Sequence, residues 1–179
     1  MKIIEIQDPP FAQKVFGTTA YSVVWLVIRL YLGYEWLIAG WEKVKNPVWI
    51  GEKIGVAISG FVQGALAKTS GPHPDVSAWY AWFLQNAVLP HPAFWSYVIT
   101  FGEVAVGVGL IIGAFTGIAA FFGLFMNMNY LLAGTVSVNP ILGVLAVLLI
   151  LGWKVAGYIG LDRYLLPLLG TPWSPGQVF

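Results

Sequence analysis

Few side chains in this sequence can do chemistry, and those that can lie where charge is expensive. Arg29 and Glu35 stand within one long apolar segment, about Thr18 to Trp41. Glu103 stands in a second apolar segment, and Asn127 and Asn129 in a third. A charged side chain near the bilayer centre costs about 2.5–3.5 kcal/mol even on the lenient insertion scale, so each charge needs a partner. At about 1.5 Å of rise per residue, Glu35 lies about 9 Å in from Trp41, and Glu103 the same depth in from Tyr97. Asn129 and Asn127 lie about five and seven residues in from Gly134. The spacing therefore predicts one polar layer shared by three helices. Arg29 sits about 9 Å further down, within reach of that layer through its long side chain.

Two carboxyls, two amides and a guanidinium can pair with one another and fix helix register. They can also hold a ligand, and intramembrane ionisable residues are functional by default. A quinone headgroup fits this set: it is flat, enters from lipid, and needs hydrogen-bonding groups and a proton carrier. In that reading Glu35 and Glu103 handle protons and Arg29 sets their charge balance. Asn127 and Asn129 hydrogen-bond the headgroup, while Trp36, Trp41 and Tyr130, with Tyr34 and Phe101, wall it. Ordinary helix packing is the better account of any one of these rings taken singly.

Other chemistries find no support. The only histidines, His73 and His91, lie in a proline-flanked connection, so no helix offers an axial pair for haem. The acids and asparagines have no metal-ligand spacing. With no cysteine there is no disulfide, thiolate zinc site, iron–sulfur cluster or thiol nucleophile. A Ser/His/Asp hydrolase lacks a convincing nucleophile. The net charge of +1 and the absence of basic runs give no reason to expect a nucleic acid.

The elements that must position these residues follow from hydropathy. The chain is 58% hydrophobic and only 9% charged, against about 25% charged in soluble domains, which predicts an all-α integral membrane protein. Four segments approach the roughly 20 residues that a span requires: about 18–41, 95–115, 116–134 and 140–159. The middle two meet at Ala114-Phe115-Thr116-Gly117 as a tight hairpin. Both termini then share one side of a single four-helix domain covering 1–179. The terminal side carries Lys2, Lys14, Lys154 and Arg163, and the long connection carries Lys43, Lys45, Lys53 and Lys68. That is a tie on the positive-inside rule, with a lean towards cytoplasmic termini. Met1 to Gly17 lacks the apolar stretch and cleavage site of a signal peptide and is expected to be retained at the membrane surface.

The connection between the first two spans is expected to be structured. From Ile50 to Leu66 apolar residues recur at helical spacing, which suits a helix lying in the interface. Thr69 to Pro74 breaks it, and Asp75 or Ser77 can cap a second helix carrying Trp79, Tyr80, Trp82 and Phe83. Together, residues 48–90 would form an amphipathic lid over one end of the bundle. The glycines Gly33, Gly40, Gly102, Gly107, Gly109, Gly113, Gly117 and Gly123 are expected to serve close helix approach. Glu35 to Gly40 followed by Asn46-Pro47 echoes Asn129 to Gly134 followed by Asn139-Pro140, the pattern of a duplicated helix pair.

Several motifs carry a family resemblance. Arg29-x-x-x-Gly33 leads to Ala39-Gly40-x-x-Lys43; Gly102-Glu103, Phe115-Thr116-Gly117 and Met126-Asn127 follow; then come Leu132 to Thr135, Asn139-Pro140 and Gly157 to Arg163. The chain resembles the DoxX/DoxD family of small four-helix membrane proteins, over about Val27 to Trp173, and the long connection is most similar to the DoxD-type branch. The resemblance implies a multi-pass protein of the prokaryotic inner membrane. In the better-described branch it implies the membrane subunit of a thiosulfate:quinone oxidoreductase, working with a second subunit; other members are accessory parts of membrane complexes. A bundle with no metal, flavin motif or thiol needs such a partner to deliver electrons. A non-catalytic packing subunit is the rival expectation. A small-solute transporter is less favoured, because no span shows a mid-membrane break.

Overall fold

The computed structural model describes residues 8–170, so the expectation for the first residues, 1–7, lies outside the described part. Among the described residues eight α-helices follow one another: α1 (Pro10–Gly17), α2 (Ser22–Val44), α3 (Val56–Leu66), α4 (Ala78–Phe83), α5 (Pro92–Ile112), α6 (Thr116–Leu132), α7 (Asn139–Leu151) and α8 (Asp162–Leu168). A 3-10 turn, Thr19–Tyr21, leads into α2, and α4 continues as a π-helical turn over Leu84–Val88. Among the described residues there is no strand.

α2, α5, α6 and α7 close a ring in which each packs on the next, with α2 on α5 the most extensive interface and α5 on α6 a much slighter one. The close α2–α5 approach depends on glycine. A Cβ on Gly107 would lie 2.5 Å from the backbone nitrogen of Leu37, and one on Gly40 would lie 2.8 Å from that of Val104. Trp25, Leu32, Trp36, Leu110 and Leu149 fill the centre of the ring. Its exterior stays apolar all round: Phe121, Phe122 and Phe125 are exposed on α6, and Ile141, Val144 and Val147 on α7. Water does not favour such a surface; hydrocarbon does.

Among the described residues, two helices are long and apolar enough to cross a membrane, Thr19–Val44 and Pro92–Ile112. α6 and α7 are apolar but shorter, at 17 and 13 residues. The fourth expected span, 140–159, thus stops early: the chain leaves the helix at Gly152 and runs through turns to α8. The α5–α6 turn is as short as its sequence suggests. Gly113 there takes φ +68°, a conformation that suits glycine.

The long connection folds over one end of the ring. Ile58 and Val62 of α3 and Tyr80 and Leu84 of the following helix share a second apolar core with Ala133. Its first helix begins at Val56, not Ile50, because Gly51 and Gly55 take positive φ and the intervening chain forms turns. Two polar anchors tie this layer to α6. Lys68 Nζ donates to Gly134 O (2.7 Å), and the Tyr80 hydroxyl meets Asn129 O (3.0 Å) and Oδ1 (3.1 Å). Burial pushes the Tyr80 phenol up to about 12.

Candidate functional site

Glu103 sits just past the middle of α5, where Gly40 lets α2 come against it; a Cβ on Gly40 would lie 3.1 Å from the Glu103 Cβ. Its carboxylate is 1% exposed and pairs with Lys43 Nζ at 2.6 Å. Lys43, in the last turn of α2, is 18% exposed, and its ammonium also lies 5.1 Å from the Trp49 ring centre. The other carboxylate oxygen accepts from the Tyr130 hydroxyl at 2.6 Å. Three helix positions therefore converge on one buried carboxylate, with a cation towards the helix end and a phenol towards the bundle.

Tyr130 is also part of a wall. Because α5 and α6 separate, they leave a groove of about 680 Å³ between them, closed at one end by α3 and α4. Its lining is hydrocarbon apart from Tyr80, Trp95, Asn129 and Tyr130. Exposed residues of both helices, Val98 and Val108 on α5 and Ile118 and Phe122 on α6, line it too. The groove is thus open on the outer face of the bundle, where its surroundings are apolar. A flat, lipid-soluble ring is the kind of molecule that such a cleft can admit.

The remaining expected residues lie elsewhere. Arg29 does not join Glu103; it is 1% exposed at the opposite end of the bundle, donating to Ile159 O. Asp162 is an opposite charge on the same side of the bundle, without a salt bridge between the two. The Asp162 carboxylate in turn accepts from the backbone N–H of Phe115 (2.6 Å) and Thr116 (2.8 Å), capping α6 from outside that helix. Arg29 points away from the predicted layer because Gly113 and Gly160 make room for its guanidinium; a Cβ on either would collide with Nη1.

Glu35 is half-buried, about 160° round α2 from the Gly33/Gly40 face that meets α5, so it cannot pair with Glu103. Among the described residues no hydrogen bond or ion pair engages it. Asn127 is buried and donates to Asn139 O (2.9 Å), bracing α6 against the start of α7. Trp36 is buried in the central core, while Trp41 is half-exposed, with Lys45 over its ring at 4.9 Å. Of the expected set, Glu103, Asn129 and Tyr130 come together beside the groove, and Arg29, Glu35, Asn127, Trp36 and Trp41 do not. Sequence reasoning missed Lys43 as the partner of Glu103, although both are glycine neighbours: Gly40-x-x-Lys43 and Gly102-Glu103.

These features describe a helical membrane bundle with a lateral apolar groove and a buried carboxylate held by a lysine and a tyrosine. The chain matches the family model described as DoxX over residues 24–138, and it belongs to the DoxX family of membrane proteins. Gly157 to Arg163, which include the Asp162 cap, lie beyond the matched stretch. No curated protein and no solved structure gives a significant match.

Proposed function

We propose that this DoxX protein is the quinone-interacting membrane subunit of a redox complex, of the kind exemplified by the DoxD-type subunit of thiosulfate:quinone oxidoreductase. One observation carries the reading: the groove between α5 and α6 opens on an apolar exterior and ends at Tyr130, whose hydroxyl rests on buried Glu103. The hydrocarbon length of the groove suits an isoprenoid ring and tail, and Glu103 supplies a group that can hold a proton beside it.

In this reading α2, α5, α6 and α7 all cross a prokaryotic inner membrane, the shorter pair continuing through the turns that flank them. The α3–α4 layer lies at the interface, where exposed Trp79 and Trp82 suit the headgroup region. In this reading a partner subunit exchanges the electrons; the chain has no cysteine, and among the described residues no group of acids and histidines is placed to hold a metal ion. Glu35 also favours a partner. A carboxyl in an apolar span with no partner among the described residues calls for a donor from a neighbouring helix.

The test is binding of a short-chain naphthoquinone to the protein in lipid nanodiscs, followed by quenching of tryptophan fluorescence. Gly102 faces the groove, and a Cβ there meets only Met126 Sδ at 3.4 Å. Gly102→Phe therefore fills the cleft while the bundle stands. Saturable binding that Gly102→Phe abolishes supports the proposal; equal binding to both proteins refutes it. A second reading, an accessory subunit without a ligand, gains from Glu35. It predicts stable association with a partner and no saturable quinone binding at all.

A further inference from the structure

The four polar side chains of the groove, Tyr80, Trp95, Asn129 and Tyr130, stand at its capped end, and their donors can be accounted for one by one. Trp95 Nε1 donates to Ala87 O (2.9 Å), and the Tyr130 hydroxyl donates to Glu103 Oε1 (2.6 Å). The Tyr80 hydroxyl is shared between Asn129 O and Oδ1. Burial raises that phenol to about 12, so it keeps its proton to donate. Asn129 is different. A side-chain amide has two N–H donors, and one of them reaches Phe125 O (2.8 Å), one turn back along α6. Among the described residues no acceptor meets the second.

The contacts of the amide also fix which way it faces. The atom 2.8 Å from the Phe125 carbonyl must be the nitrogen, since two oxygens would repel there. Oδ1 then falls to the Tyr80 hydroxyl, at 3.1 Å. Held at both ends, the amide cannot turn over, and its second N–H diverges from the helix backbone beside the groove that Asn129 lines. Resting on the quinone reading above, we propose that Asn129 Nδ2 donates this hydrogen to one carbonyl of the quinone ring, and that Tyr80, from the α3–α4 layer, is the positioning residue that keeps it aimed. With the other three donors held inside the protein, the second carbonyl goes without. The ring is thus bound asymmetrically, and the site is complete only with the α3–α4 layer seated on α6.

Infrared spectra test this, taken with the protein in nanodiscs and a short-chain naphthoquinone isotope-labelled at one or the other ring carbonyl. One carbonyl band should move to lower frequency on binding, and the other should stay where lipid alone puts it. The shift should vanish in Asn129→Leu and in Tyr80→Phe. It should persist in Lys68→Met, which frees the other anchor of the α3–α4 layer and leaves the amide alone. Asn129→Leu should weaken quinone binding by about three- to tenfold, the worth of one hydrogen bond. A tailed naphthalene without carbonyls should bind that variant and the wild type alike. Two bands that both move or both stay, a shift that survives Asn129→Leu, or equal weakening of the naphthalene overturns the inference and leaves the groove in place. A shift that survives Tyr80→Phe, or is lost from Lys68→Met too, overturns the role of Tyr80. Absence of saturable quinone binding overturns the inference together with the quinone reading.

Discussion

Replacing Lys43 with methionine removes the only cation paired with Glu103 among the described residues and keeps most of the side chain's bulk. What remains is a carboxylate 1% exposed, held by the Tyr130 hydroxyl at 2.6 Å. Breaking a buried pair on one side costs about 3–5 kcal/mol, because the orphaned charge keeps its desolvation penalty. At about 2–4 °C per kcal/mol for a chain of this size, thermal unfolding should fall by about 6–20 °C. Glu103→Gln leaves an ammonium that is nearer to solvent and should cost less. The double variant no longer buries an unpaired charge, so it should be more stable than the sum of the singles by more than about 2 kcal/mol. Reversible unfolding in lipid bicelles, measured for all four proteins, gives each corner of that cycle. A Lys43→Met cost below about 1 kcal/mol, or additive singles, would refute the reading of this pair as a buried ion pair.

Other outcomes follow from the same coordinates. Asp162→Asn weakens the α6 cap that its carboxylate makes to the Phe115 and Thr116 N–H groups, and should lower stability by about 0.5–2 kcal/mol in the same unfolding assay. Gly107→Ala sets a Cβ 2.5 Å from the Leu37 backbone nitrogen; it should cost about 1–3 kcal/mol through forced separation of α2 and α5, readable as lost thermal stability. The Tyr80 phenol is raised from 10.0 to about 12, which favours the neutral form in the folded protein. Its contribution is therefore whole below pH 10 and is lost as the pH climbs from 10 through 12. Hydrogen exchange of the α3–α4 layer should rise over that window in the wild type. In Tyr80→Phe it should be high and flat.

The sequence makes the helices legible because their cause is local: long apolar runs set α2, α5 and α6, and Pro92 and Pro140 mark two of the starts. It misplaces the ends of elements where glycine intervenes, as at Gly51 and Gly55 before α3 and at Gly152 after α7. The polar layer was legible only in part. Depth along a helix can be counted from residue number, and that count puts Glu103 and Asn129 in one layer; in the structure both lie towards the end of the bundle that α3 and α4 cover. Direction around a helix depends on which face packs, and here Gly33, Gly40 and Gly107 decide it. That choice turns Glu35 away from Glu103 and gives Glu103 a partner sixty positions distant. The Asp162 cap on α6 is 46–47 positions from the N–H groups it satisfies. Neither pairing has a local signature, since both arise only once the bundle has closed.

Photoaffinity labelling with an azido-substituted short-chain quinone, mapped by mass spectrometry of the protein in native membranes, tests the central claim most directly. Adducts confined to groove residues such as Phe122, Met126 and Tyr130, and displaced by excess unlabelled quinone, are the predicted result. Labelling spread over the outer faces of α2 and α7, undiminished by competitor, would contradict it.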